Sequence, residues 1–180
     1  MREVALRGWE RRPGRLVSEI ERLWELYGGR ICRAAYLLVG DRGEAEALAQ
    51  DVFVSAWRSL DSFQGRSSEY TWLYSILINA FRNRLRDRRR GAQQLTEGQE
   101  ATSAEPPEEA QVDELRAGIL SALNELEGKH REVLVMHFLE GMKYSEMAEA
   151  LGCRLGTVKS RLWHAKRKLR ERLGRKGFEY

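Results

Sequence analysis

Three prolines and two cysteines in 180 residues remove several classes of protein at once. Cys32 and Cys153 stand far apart in the chain, so neither a disulfide framework nor a clustered zinc site follows from them; both read as small buried hydrophobes. Proline this sparse leaves long segments free to be helical. The longest unbroken apolar stretch, Ala34 to Val39, is far short of the ~20 residues that span a bilayer, and no apolar run follows the basic N-terminus as a secretory signal requires. The expectation is a cytoplasmic protein with no membrane insertion.

Charge is nearly balanced overall, at +4 from 31 basic and 27 acidic residues, but its distribution is uneven. Arg82 to Arg90 holds six Arg against Asp87, and Arg154 to Lys176 holds ten Lys or Arg against Glu171. Between them, Ala92 to Leu115 has seven acids and no Lys or Arg. Two basic segments flanking an acidic one suggest a polyanion held at two places, although a basic run is also what a solvated helix face looks like.

Apolar residues recur at helical spacing in most of the chain, and no segment shows the strict alternation of a half-buried strand. Leu16, Ile20, Leu23, Tyr27, Ile31, Ala34 and Leu38 predict a first long helix with a bend near Gly28 and Gly29. Asp41 and Glu44 form a capping-box signature before a second helix bearing Ala45, Leu48, Ala49, Val52, Phe53, Ala56, Trp57 and Leu60. That stripe is wide enough to ask for a partner on a second side. A polar loop across Asp61 to Glu69 precedes a third helix, with Leu73, Ile76, Leu77, Ala80 and Phe81 inward, which runs into the arginines.

Gly91 to Val112 cannot bury enough apolar surface to offset chain entropy and is expected to be a flexible acidic linker, able to extend to about 70 Å. Beyond it, four helices are expected, carrying Leu115 to Leu126, Val133 to Phe138, Met147 to Leu151 and Val158 to Leu173. The predicted fold is all-α: two small helical bundles joined by a linker. The expected divisions are an extension at 1–15, one bundle at 16–91, the linker at 92–112 and a second bundle at 113–176.

The short helix, Gly152 and the long basic helix have the layout of a helix-turn-helix, whose second helix enters the major groove. Behind an inner stripe of Val158, Leu162, Ala165 and Leu169, the outer face offers Arg154, Thr157, Lys159, Ser160, Arg161, His164, Arg167 and Lys168. Hydroxyls and cations at a helix start suit base edges and phosphates.

With His130-Arg131-Glu132-Val133-Leu134, Phe138-Leu139-Glu140-Gly141, Tyr144-Ser145-Glu146-Met147-Ala148-Glu149 and Gly156-Thr157-Val158-Lys159-Ser160-Arg161-Leu162, the second half closely resembles the DNA-binding domain of bacterial RNA polymerase sigma factors of the extracytoplasmic-function (ECF) subgroup. Response-regulator output domains share a similar Thr-Val-Lys run. The first half decides between them: Gln50-Asp51-Val52-Phe53, Ala56-Trp57, Leu60-Asp61-Ser62-Phe63, Tyr70 to Ile76 and Asn79 resemble the polymerase-binding, promoter-melting domain of the same family.

The resemblance implies a non-catalytic initiation factor without metal or cofactor. Leu48, Gln50, Asp51, Phe53, Val54 and Trp57 match the positions that dock on the coiled coil of the largest polymerase subunit, with Phe53 fitting a core role equally well; the polymerase flap region is a further expected partner. Phe63, Ser67, Ser68, Tyr70, Thr71 and Trp72 match the region that captures melted non-template bases of the minus-ten element, and they supply the aromatic walls and polar groups that unpaired bases need. Asn79, Arg82, Asn83 and Arg86 follow at helical spacing. Arg154, Thr157, Lys159, Ser160, Arg161, Trp163, His164 and Arg167 match the reader of the duplex minus-thirty-five element. A cognate anti-sigma factor is implied too. The linker fits either a solvated spacer or an acidic mimic of nucleic acid inside polymerase.

Departures from the family pattern are Ala47 for an acid, Glu127 and Arg154 for Pro, Lys143 for a capping Ser or Thr, and His164 for Arg. A stand-alone helix-turn-helix regulator is the alternative reading, but neither a heptad seam nor a phosphorylation pocket is present. A nuclease would need converging carboxylates; the acids are expected on helix exteriors or in the linker, and His130, His137 and His164 lack metal-ligand spacing.

Overall fold

Pro13 occupies the first turn of the first helix, where its missing N–H costs nothing. From there the chain, in a computed structural model that describes residues 13–94 and 112–175, builds α1 (Pro13–Val39), α2 (Arg42–Ser59), a 3₁₀ turn (Leu60–Ser62) and α3 (Glu69–Gln94). After the acidic segment come α4 (Val112–Asn124), α5 (Gly128–Leu134), a π-helical turn (Val135–Leu139), α6 (Tyr144–Ala150) and α7 (Leu155–Arg175). Residues 1–12 and most of the expected linker, 95–111, lie outside the described residues; α3 runs three residues past the expected linker start.

α1 is one continuous helix through Gly28 and Gly29. Gly28 makes room, since a Cβ would lie 3.0 Å from the Trp24 ring. Asp41 caps α2 by accepting the Glu44 N–H at 2.8 Å. The Glu44 carboxylate, expected to return the favour, pairs with Arg88 of α3. α3 is capped by Ser68, whose Oγ accepts the Thr71 N–H at 3.0 Å.

Each half follows the predicted periodicity. Leu23, Ile31, Ala34 and Leu38 of α1, Leu48, Val52 and Ala56 of α2, and Leu73, Leu77 and Phe81 of α3 are buried against one another; a large apolar side chain so buried contributes roughly 1.5 to 3 kcal/mol. In the second half Val158, Leu162 and Ala165 of α7 pack on Val133, Leu134 and Met147. The two clusters do not stand apart. α1 meets α4, α5 and the π-helical turn, and α3 meets α5 and α6, so the apolar core is continuous across both.

Three sequence expectations fail. Phe138, expected inward, is 57% exposed. The π-helical turn explains it: the Glu140 amide bonds to the Val135 carbonyl five residues back, at 3.0 Å, and the extra residue shifts the helical phase. The acids are not all exterior, since Glu132 and Glu140 are buried. Cys32 and Cys153 are only half-buried free thiols, packed at the margin of the core.

Candidate nucleic-acid and polymerase interfaces

The turn before α7 is closed by a Schellman arrangement. The Cys153 N–H reaches the Ala148 carbonyl at 3.0 Å and the Gly152 N–H reaches Glu149 at 3.1 Å, with Gly152 at φ +60°. Lys143, which has no acceptor, caps α6 through its own amide: the Glu146 carboxylate accepts it at 2.7 Å. This holds α6 against α7, where Val158, Leu162, Ala165 and Leu173 face inward.

All eight predicted minus-thirty-five residues lie on the other side of that turn and helix. Arg154, Lys159, Ser160, Trp163, His164 and Arg167 are exposed, with Thr157 and Arg161 half-exposed. Charge is divided along α7. Toward its C-terminal end, Lys168 pairs with Glu127 at 2.8 Å and Arg172 with Glu125 at 3.4 Å, securing the α4–α5 turn. Glu127, in place of the family's Pro, is held down at about 2 by hydrogen bonds from Lys129 and then Lys168. Arg154, Lys159 and Arg161 have no ion pair among the described residues, which leaves the N-terminal half of α7 free to meet an anion. Trp163 stands 59% exposed, edge-on to His164, with the Arg167 guanidinium 5.1 Å from its ring centroid.

On α2 the predicted docking residues divide. Gln50, Asp51, Val54 and Trp57 are exposed, whereas Leu48 is fully buried and Phe53 nearly so; those two shape the face from beneath rather than form it. Phe53 packs edge-on with Trp24 at 4.8 Å, which brings a half-exposed Trp of α1 beside α2. Asp51 accepts from Arg84 at 2.6 Å.

The predicted minus-ten residues also divide. Phe63 and Trp72 pack ring to ring at 4.8 Å, both half-buried, beside half-buried Ser67 and exposed Ser68. Ser68 and Thr71 are hydrogen-bonded at 2.9 Å as part of the α3 cap. Thr71 and Tyr70 are buried. Asn79, Asn83 and Arg86 are exposed along α3. Half of the basic run has internal work: Arg84 and Arg88 hold α2, and Arg82 grips Glu132 of α5 with both Nε and Nη2, at 2.9 and 2.7 Å.

Three buried charged positions, Arg131, Glu132 and Glu140, escaped the sequence reading, each beside an apolar run. Arg131 is buried with no carboxylate; it donates to the carbonyls of Leu123, Asn124 and Leu126 and, across the interface, of Leu38 at 2.5 Å. Burial, then nearby Arg88, lowers its pKa to about 10, so it stays cationic at neutral pH. Glu140 accepts the Tyr70 hydroxyl at 2.5 Å and pairs with Arg30 at 3.2 Å. Burial first, then that hydrogen bond, drives the Tyr70 phenol far above its ordinary pKa. Their visible signal was position: His130-Arg131-Glu132 and Glu140 interrupt helices that otherwise read as core.

A groove of about 510 Å³ remains between the halves, lined by Asn79, Arg86 and Arg89 on one side and Glu127, Gly128 and Lys129 on the other. Among the described residues no group of three His, Cys, Asp or Glu is placed to hold a metal, and no helix is long and apolar enough to cross a membrane.

A helix-turn-helix with an open cationic face, joined to a helical unit with an exposed apolar and acidic face, is the architecture of a two-domain transcription initiation factor. Comparison with known proteins agrees. Residues 23–91 match the model of sigma-70 region 2 and residues 116–169 that of sigma-70 region 4. The chain is 35% identical over 151 residues to the RNA polymerase sigma-H factor of Pseudomonas aeruginosa, covering 78% of each. It is 31% identical to the ECF RNA polymerase sigma-E factor of Escherichia coli K12 over 69% of this chain and 71% of that one. Among solved structures it is similar to the sigma factor RpoE of Bartonella quintana in complex with the anti-sigma factor NepR (TM-score 0.74, 30% identity, 87% of this chain and 98% of that one). It is also similar to CnrH in complex with the cytosolic domain of CnrY (TM-score 0.65, 25% identity, 89% and 94%).

The chain belongs to the ECF RNA polymerase sigma factors. As such it binds core RNA polymerase in the cytoplasm, directs promoter recognition through its region 2 and region 4 domains, and has no catalysis of its own.

Proposed function

We propose that the C-terminal domain reads the duplex minus-thirty-five element through Arg154, Thr157, Lys159, Ser160, Arg161, Trp163, His164 and Arg167, while the N-terminal domain captures melted minus-ten bases. The observation that carries this reading is the division of charge on α7. Lys168 and Arg172 toward its rear are committed to Glu127 and Glu125 and Arg167 pairs with Glu171, whereas Arg154, Lys159 and Arg161 at its front, which have no ion pair among the described residues, are left for DNA.

On the N-terminal domain, Phe63 and Trp72 form an apolar wall for an unpaired base, with Ser67 and Ser68 beside it; Asn79, Asn83 and Arg86 track the strand or upstream phosphates. Arg82 belongs to the same surface, with Tyr70 and Thr71 buried beneath it. Gln50, Asp51, Val54 and Trp57, supported by Leu48 and Phe53 from below, dock on the coiled coil of the largest polymerase subunit, and exposed Phe138 and Leu139 offer the C-terminal domain's apolar contact for the flap region. The likeness to a sigma factor solved in complex with an anti-sigma factor supports a cognate anti-sigma factor for this chain. The linker serves as spacer or as acidic mimic inside polymerase.

The test is association of the purified chain with core RNA polymerase followed by transcription from a randomised promoter library. Promoter-selective starts, with two enriched elements at fixed spacing, are expected. Specific duplex binding without polymerase association would instead make the chain a stand-alone regulator.

A further inference from the structure

The reading face of α7 holds one side chain whose charge is conditional. Arginine and lysine are cations at every physiological pH, whereas imidazole gains its charge only between about pH 8 and 5. His164 stands exposed on that face, three residues after Arg161, three before Arg167 and four before Lys168, so all three lie on its side of the helix.

Among the described residues no acceptor answers a charge at His164, which has neither a hydrogen bond nor an ion pair there. The Trp163 ring stands against the imidazole at 4.7 Å and 85°, an aromatic neighbour without a lone pair to offer. Arg161, Arg167 and Lys168 only donate. From α5, His130 lies within electrostatic reach: its pKa is lowered by burial first and then by Lys168, with Lys129 and His164 adding to the effect. The carboxylates around α7 are committed to other partners. Glu127 holds Lys129 and Lys168, Glu125 holds Arg172, Glu132 holds Arg82, and Glu146 takes the Lys143 amide. Glu171 of α7 itself pairs with Arg167, and Glu149 of α6 faces solvent.

We propose that His164 is a proton-dependent contact to promoter DNA: its imidazole takes up a proton as α7 enters the major groove, so that the grip on the minus-thirty-five element tightens as pH falls through the histidine range. The proposal rests on the assignment of His164 to that reading face. DNA supplies the acceptor that the chain withholds. A phosphate oxygen or the N7 and O6 of guanine accept from an imidazolium N–H, and the charged ring offers two donors where the neutral ring offers one. The bound state therefore holds the proton more firmly than the free one, and the state that binds more protons gains as pH falls. An arginine at 164 would hold DNA alike across that range; histidine makes one contact conditional and leaves the rest of the face constant.

The experiment titrates holoenzyme, formed from core polymerase and the full chain, onto duplex carrying the selected promoter at about pH 8 and about pH 6. It compares the parent with His164→Arg and His164→Gln, and circular dichroism checks the fold at the lower pH. Because each chain meets the same polymerase, the response of polymerase itself to pH cancels in the ratios. The parent should match His164→Gln at the higher pH, then bind roughly five-fold more tightly than it at the lower and approach His164→Arg. Its salt slope should steepen by about 0.9 over the same interval. Ratios of parent to both variants that stay constant overturn the proposal.

His130→Gln should keep the gain; loss of the gain in that variant places the proton on His130 and overturns the proposal equally. Failure of the reading beneath registers elsewhere. Selected promoters with no enriched minus-thirty-five element remove that reading, whereas an enriched element bound with flat ratios removes only the proton-dependent contact.

Discussion

The guanidinium of Arg131, in the C-terminal domain, donates to the carbonyl of Leu38 at the last turn of α1. The same side chain collects the carbonyls of Leu123 and Asn124 at the end of α4, so one cation serves the negative ends of two helices from two domains. Replacing it with Met should cost about 3 kcal/mol in urea unfolding, because several charge-assisted bonds are lost and the carbonyls are left buried. Arg131→Lys, unable to span all four carbonyls, should recover only part. A Met variant as stable as the parent would show that the carbonyls find other partners.

Gly40 provides a second probe of the interface. Its φ is +81°, and a Cβ there would fall 2.0 Å from Asn124 Nδ2. Gly65 has a similar φ of +65° with nothing within 4 Å, so it isolates the backbone cost alone. Gly65→Ala should therefore lose roughly 1 to 2 kcal/mol and Gly40→Ala clearly more. Adding Asn124→Ala should narrow the difference; equal losses at the two glycines in chemical denaturation would mean that Asn124 moves aside freely.

Stability should fall in two acid steps. Burial, and then the nearby Lys168 charge, depress the His130 pKa below its ordinary 6.5. The unfolded chain thus takes up a proton that the fold resists, and stability declines as pH drops below about 6.5, until the folded value is passed. Glu127 acts lower: its stabilising pairs with Lys129 and Lys168 are complete above its ordinary 4.5 and lost as pH falls toward about 2. Urea midpoints across this range should show the first step vanish in His130→Gln while the second persists. An unchanged first step would place its origin elsewhere.

Asp51→Asn should weaken assembly with core polymerase by at least ten-fold while shifting the melting temperature little, since its pair with Arg84 is solvent-facing and such pairs contribute about 0 to 1 kcal/mol. Competition for core polymerase against the parent chain measures the first and calorimetry the second. Normal assembly would remove Asp51 from the docking face.

Arg161→Ala should weaken binding to the selected promoter by roughly 1 to 3 kcal/mol and relax sequence preference at one position if the side chain reads a base edge. A uniform loss on all sequences, with a shallower salt dependence, would assign it to phosphate instead.

What was legible in the sequence follows from what local pattern can encode. The stripe Val158, Leu162 and Ala165 behind Arg154 to Arg167 disclosed the helix-turn-helix because stripe, turn and charge lie within about twenty residues of one another. Phe53 lies one turn from exposed Trp57 on the same side of α2, closely enough that pattern alone could not divide core from surface. The use of Arg82, Arg84 and Arg88 within the fold was hidden, because their acidic partners lie 33 to 50 positions away. Glu140 was hidden for another reason: periodicity counted at 3.6 residues per turn places Phe138 inside, and only a π-helical turn reverses the two.

That turn, Val135–Leu139, works as a one-residue frameshift in three dimensions. Upstream of it Arg131 and Glu132 already reach the neighbouring domain; downstream, the same chain presents Phe138 and Leu139 outward and delivers a second carboxylate to that domain. Deleting a single residue there would exchange the roles, tucking the greasy pair inward and swinging Glu140 away from Tyr70. What this stretch turns outward, a sticky pair or a carboxylate, is thus set by a spacing rather than by any one side chain.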